Sequence, residues 1–278
     1  MRQTPDITEQ ATPLVVLACG QRCGSTLVQR LLCSHPRVMI WGEHVGQLRP
    51  VLTAVERLST WTEFHGAMGR DELEASGYQG FIANVTPQRD RIDEAGRAFI
   101  ETLFAKPAMG LRRPIWGFKE VRYGLPDVLL LRKLFARLRV IQIIRDPRDV
   151  LRSLEDWERH PGWTRRDTET SLQHWRTVAG SFLGCIAEPH LRSLILTVRY
   201  EDLIADTRCW SATIAEHCEL DVEEFDHSVF DNRVHASGLY GPLDRELHEW
   251  SQLPASLRAL ADDEDIRKIA SAYGYDLT

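Results

Sequence analysis

The stretch Gly20-Gln-Arg-Cys-Gly-Ser-Thr26 gathers the groups needed to hold an anion with several oxygens. Gly20 and Gly24 let the backbone turn sharply and approach a ligand closely, with Gln21 and Cys23 completing the turn. Ser25 and Thr26 bring hydroxyl donors and Arg22 a permanent cation. The helix expected to follow adds free N–H groups and the positive end of its dipole. A Walker A loop places lysine directly before its hydroxyl residue. Here Gly24 precedes Ser25, and the cation stands upstream at Arg22. A Walker B strand ends in an acid that helps hold magnesium, whereas the apolar run 138–144 ends in Arg145. The pattern points to an anionic donor held by cations and needing no Mg²⁺.

The elements that must position these residues read as alternating strands and helices. Leu14–Cys19 is a nearly continuous apolar run, as in a strand buried on both faces of a parallel sheet. Thr26–Ser34 has helical spacing, with Leu27, Leu31 and Leu32 on one face, and His35-Pro36 ends it. Val38–Trp41, Pro114–Phe118, Leu138–Ile144 and Ser193–Val198 read as further strands. Asp146 suits an N-cap and Pro147 a first helical turn. Helical patterns lie near 44–57, 92–105, 126–136, 168–187, 207–218 and 262–273. The alternation predicts one α/β domain over 14–278 built on a parallel sheet. Met1–Pro13 reads as a disordered lead, and 60–91 and 160–167 read as polar surface loops or lids.

Composition narrows the partners. The chain has 278 residues, 43% apolar and 27% charged, with a net charge of −6. An acidic balance argues against nucleic acid as the main partner. No apolar run reaches the ~20 residues of a membrane span, and the six cysteines form no C-x-x-C pair. A cytoplasmic protein with free thiols is expected. The ten histidines show no metal-ligand spacing, so no metal is expected.

Several segments, in order, resemble the family of sulfotransferases that use 3′-phosphoadenosine 5′-phosphosulfate (PAPS). Gly20–Leu27 looks like that family's 5′-phosphosulfate loop, commonly R-S-G-T-T-L. Arg145-Asp-Pro-Arg-Asp-Val-Leu-Arg-Ser153 looks like its 3′-phosphate segment, R-D-P-R-D-x-x-x-S. Arg199-Tyr-Glu-Asp-Leu203 is similar to its R-Y-E-D-L segment, and Trp116-Gly-Phe-Lys119 to its lysine-bearing strand end. Together these span about 14–203, in a register closest to the tyrosylprotein-type and bacterial members.

The resemblance implies a P-loop-like three-layer α/β fold, with a central parallel sheet flanked by helices and PAPS as donor. It implies that the loop Gly20–Thr26, above all Arg22, Gly24, Ser25 and Thr26, holds the 5′-phosphosulfate. Arg145 and Ser153 would hold the 3′-phosphate, with Tyr200 near the nucleotide. Cys23 stands where the family has serine, and Ser25 where it has its first threonine. The family's C-terminal nucleotide loop has its counterpart in 233–250, where Arg233, Ser237 or Arg245 could supply the contact and Glu249 replaces a lysine.

Transfer of a sulfuryl group to a hydroxyl needs a base for the acceptor and a cation at the leaving phosphate oxygen. Glu43, twenty-one residues beyond Arg22, falls in register with the catalytic glutamate of the tyrosylprotein-type enzymes. Its other reading is the N-cap or a first-turn acid of the next helix, and His44 is the second candidate base. Lys119, with Arg22 sharing the charge, is the candidate cation; the alternative is a surface ion-pair partner. Trp157, His160, Trp163, His174 and Trp175 line an acceptor pocket or pack as core. The expected acceptor is a small molecule, sugar or phenol bearing a hydroxyl. The rival readings are an ATP-dependent small-molecule kinase on the same fold and a non-catalytic nucleotide-binding protein.

Overall fold

Five short apolar segments pair into one parallel sheet flanked by helices, the three central ones buried on both faces and the two edge ones in part. They are β1 (Leu14–Ala18), β2 (Val38–Trp41), β3 (Ile115–Glu120), β4 (Arg139–Ile144) and β5 (Ile195–Arg199). Their order across the sheet is β2-β3-β1-β4-β5, every pair parallel. The central strand β1 is buried along its whole length. The computed structural model describes residues 13–158, 168–235, 238–242 and 254–277. Almost all of the expected lead, the loop expected at 160–167, and Ser237 and Arg245 lie outside these.

The helix α1 (Ser25–Ser34) buries Leu27, Val28, Leu31 and Leu32, the stripe its spacing predicts. It starts one residue earlier than the pattern suggested. Helix α2 is Leu48–Trp61, α3 Ala67–Ser76, α4 Arg89–Ile100, α5 Lys106–Gly110, α6 Leu125–Leu134, α7 Pro147–Glu158 and α8 Thr168–Ser181. Asp146 caps α7 as expected, its Oδ1 accepting the Arg148 N–H at 2.8 Å.

The expected loop 60–91 is largely helical instead. Helix α2 passes through a single π-helical turn, Thr62–Gly66, straight into α3. What anchors this run is polar, so hydropathy does not announce it. Thr62 Oγ1 donates to Pro87 O at 2.6 Å, and Arg70 Nη1 to Thr86 O at 2.9 Å. Gly66 and Gly69 allow close approach: a Cβ at Gly69 would meet the Asn84 carbonyl carbon at 2.7 Å. The expected helix near 44–57 begins only at Leu48. After Phe230 the chain forms an antiparallel hairpin, β6 (Asn232–His235) and β7 (Gly238–Pro242), in the region expected to carry a nucleotide loop.

The parallel sheet sends every strand's carboxyl end to one edge, where open α/β sheets bind ligands. That edge receives the Gly20 turn from β1, Glu43 after β2, Lys119 from β3, Arg145 after β4 and Tyr200 after β5. No helix of the described residues is long and apolar enough to cross a membrane.

Candidate functional site

The turn after β1 leads into a helix start whose N–H groups are left for a ligand. Gly20 has φ 84°, Arg22 φ 67° and Gly24 φ 93°. Gly24 is doubly required: its backbone is left-handed, and a Cβ there would stand 2.4 Å from Tyr200 Cδ2. Helix α1 starts directly after it with no side chain capping its first turn. The N–H groups of Ser25 and Thr26 therefore have no partner within the helix, and the dipole favours an anion there. Cys23 contributes only backbone: its side chain is fully buried and donates to Cys19 O at 3.1 Å. Burial pushes that thiol well above its ordinary pKa. All six cysteines are free.

A second strap of residues closes against this turn. Arg22 Nε donates to Ser153 Oγ at 2.9 Å, across 131 residues of sequence. Arg145 Nη1 donates to Arg22 O at 3.3 Å, and its guanidinium stacks 4.5 Å over the Tyr200 ring. Arg145 Nε is buried with no hydrogen-bond partner among the described residues. An orphaned guanidinium donor beside an uncapped helix start is what an anionic group would satisfy. Trp175, on α8, is fully buried, and its Nε1 donates to Arg145 O at 3.1 Å. Glu201 ties the strap to the C-terminal segment, accepting from Asp146 N at 2.9 Å and from Tyr275 Oη at 2.7 Å. Arg148, by contrast, is spent on Asp146 and on the carbonyl of Asp276.

The third group lies where β2 and β3 end. Lys119 Nζ meets Glu43 Oε1 at 2.6 Å, and Arg122 Nη1 meets Glu43 Oε2 at 3.0 Å. Lys119 is only 6% exposed, so it is no surface ion-pair residue. Glu43 precedes α2 by several residues and is no first-turn acid. Burial alone would raise the Glu43 carboxyl. The hydrogen bonds and charges of Lys119 and Arg122 together outweigh this and hold it below its ordinary value. Behind them, fully buried Glu120 accepts from Arg122 Nη1 at 2.8 Å and from Gly46 N at 2.7 Å.

His44 sits apart from this triad in packing, if not in sequence. Its ring lies 5.0 Å from Phe118 and 5.5 Å from Tyr123, and its Nε2 shares a 2.8 Å hydrogen bond with Tyr123 Oη. Burial, the largest influence, lowers its pKa.

A cleft of about 870 Å³ opens between α2, α6 and α8. Gln21, Arg49, Arg122, Pro126, Leu130 and His174 are among its lining residues. Gln21 belongs to the anion turn and Arg122 holds Glu43, so the cleft touches both groups. Of the aromatic set, His174 lines the cleft while Trp175 packs as core. Trp157 has its backbone in α7, and His160 and Trp163 lie outside the described residues. Arg233 has its backbone in β6. Sequence reasoning gave Arg122 no role and passed over Arg49. Arg49 forms a two-pronged pair with Asp127, at 2.6 and 2.8 Å, across 78 residues. Such a partnership leaves no local signal.

A family model described as "Sulfotransferase family" matches residues 13–224. Among solved structures, the chain is similar to the sulfotransferase domain of the Synechococcus PCC 7002 olefin synthase, with TM-score 0.56 and 18% identity over 97% of this chain and 98% of that one. It is also similar to the sulfotransferase domain from the curacin biosynthetic pathway, with TM-score 0.54 and 16% identity over 96% and 99%. No curated protein matches the chain.

Proposed function

The chain belongs to the sulfotransferase family, and from that premise we propose that it moves a sulfuryl group from PAPS to a hydroxyl of a small acceptor, with Glu43 as base. The observation that carries this reading is the meeting of Glu43 and Lys119 at 2.6 Å, on the sheet edge that also bears the anion turn.

The donor's two charged ends have matching groups. Arg22, Gly24, Ser25 and Thr26 would hold the 5′-phosphosulfate through a cation, hydroxyls and uncapped N–H groups. Arg145 and Ser153 would hold the 3′-phosphate, and the orphaned Arg145 Nε supports that assignment. Tyr200 would pack beside the nucleotide, since its ring already lies against both Gly24 and Arg145.

The reaction is an in-line displacement, helped mainly by positioning and charge stabilisation. The acceptor oxygen forms a bond to sulfur while the bond from sulfur to the bridging phosphate oxygen breaks. The acceptor proton passes to Glu43, and the charge on the leaving oxygen is met by Lys119, with Arg22 beside it. Glu43 is ionised near neutral pH, as a proton acceptor must be. Arg122 orients the carboxylate through its second oxygen. His44 serves as packing behind the base, since its Nε2 is engaged with Tyr123.

The test is transfer of labelled sulfate from PAPS across a panel of phenols, sugars and hydroxylated small molecules. The wild type is expected to label at least one, and Glu43→Gln to keep donor binding while losing turnover. An active Glu43→Gln variant contradicts the assignment of the base.

A further inference from the structure

Exposed large apolar side chains are not scattered over this protein. Among the described residues, all but Leu129 fall within 45–111. Leu58 is 53% exposed, Trp61 46% and Met68 58%. Leu58 and Trp61 recur with Pro50 and Ala54 at helical spacing along α2. At ~1.5 Å per residue, Pro50 to Trp61 makes a stripe roughly 16 Å long. Exposed apolar side chains gathered in one region of a surface mark binding sites.

The stripe begins beside Arg122, which holds Glu43. A groove of about 890 Å³ has Val45, Pro50, Ala54 and Leu58 on its apolar side and Arg49, Arg57 and Arg122 among its polar residues. It shares Arg49, Thr53 and Arg122 with the cleft. Val45, at the mouth, is 61% exposed and has φ 56°, a strained backbone for a β-branched residue. The buried Glu120 carboxylate pins that turn through the Gly46 N–H. Strain held in this way accompanies ligand sites more often than bare surface.

We propose that the stripe receives an unbranched apolar chain carried by the acceptor, so that the natural acceptor is amphipathic. Its hydroxyl end lies at Glu43 and its alkyl or acyl tail runs along α2 toward Trp61. This rests on Glu43 and the cleft as the transfer site. One observation favours a substrate tail over other occupants. The groove and the cleft share Arg49, Thr53 and Arg122, so one ligand can reach from one to the other.

The test uses para-alkylphenols from ethyl to dodecyl as acceptors with PAPS. In parallel, calorimetry measures binding of octyl and dodecyl glucoside, below their micelle concentrations, in the presence of adenosine 3′,5′-bisphosphate. Both kcat/KM and glucoside affinity are expected to rise with chain length, by at most about fourfold per methylene. Leu58→Glu and Ala54→Glu, both at exposed positions, should cut the dodecyl-to-ethyl ratio of kcat/KM by about tenfold or more. Leu129→Glu, a charge placed on an exposed leucine of α6, should leave that ratio as it is. Chain-dependent glucoside binding without any sulfated product would keep the tail site and remove the transfer reading. Sulfated ethylphenol with no chain dependence in either assay would do the reverse. The proposal is also overturned if sedimentation finds a dimer that Leu58→Glu dissociates, or if the stripe binds only lipid vesicles.

Discussion

The Glu43 carboxylate and the Lys119 ammonium meet at 2.6 Å, although 76 residues separate them in the chain. Each thereby neutralises the other until a donor arrives to claim the lysine. Because Glu43 is held below its ordinary value, the base form persists below that ordinary value and is lost only as pH falls through the lowered one. The acidic limb of kcat/KM should therefore lie below the usual carboxylate range. In Lys119→Met burial regains weight, so the limb should move to higher pH while kcat falls about 10²–10³-fold. A pH–rate profile with the limb unmoved would detach Glu43 from it.

Arg145 and Ser153 make a second, independent prediction. Arg145→Ala should weaken adenosine 3′,5′-bisphosphate by about ten- to hundredfold, the worth of a charge-assisted contact. Ser153→Ala should cost about tenfold or less, since it removes a neutral hydroxyl that also positions Arg22. Titration calorimetry reads both. Equal affinities in all three proteins would move the 3′-phosphate elsewhere.

Gly24→Ala is expected to damage both fold and binding. The left-handed backbone costs roughly 1–2 kcal/mol for a residue with a Cβ. The contact with Tyr200 adds about 1–3 kcal/mol of overpacking. Thermal unfolding should show a lower Tm and loss of the stabilisation that adenosine 3′,5′-bisphosphate gives the wild type. Adding Tyr200→Leu should restore part of the Tm but not the binding.

His44 and Glu43 should part company on mutation. His44→Phe leaves the Tyr123 hydroxyl without its 2.8 Å partner and should lower stability by about 1–3 kcal/mol. The folded fraction should keep kcat within about an order of magnitude, against a loss of about 10²–10⁴-fold in Glu43→Gln. A well-folded His44→Phe enzyme with no turnover would exchange the two roles.

The parts legible in the sequence were those that local chemistry dictates. The fully buried run Leu14–Ala18, the glycine turn beside it and the Asp146 cap each announce themselves within a few residues. The sheet edge follows from the parallel order, and it brings Glu43 to Lys119 as well as Arg22 to Ser153. The helices at 60–76 were hidden because their anchors are threonine, arginine and two close-packed glycines, while Trp61 and Met68 face outward. Arg122 and Arg49 carry no local mark either. They matter through Glu120 and Asp127, carboxylates that only the folded chain brings to them. Cys23 was legible as part of the turn, but not that its side chain points into the core.

The most direct measurement of the central claim is titration calorimetry of the intact chain in a metal chelator. Adenosine 3′,5′-bisphosphate is compared there with ATP, and then with ATP plus Mg²⁺ after the chelator is removed. The account predicts tight, metal-independent binding of the bisphosphate and much weaker binding of ATP in either condition. Equal or tighter binding of Mg·ATP would contradict it and return the site to phosphoryl chemistry.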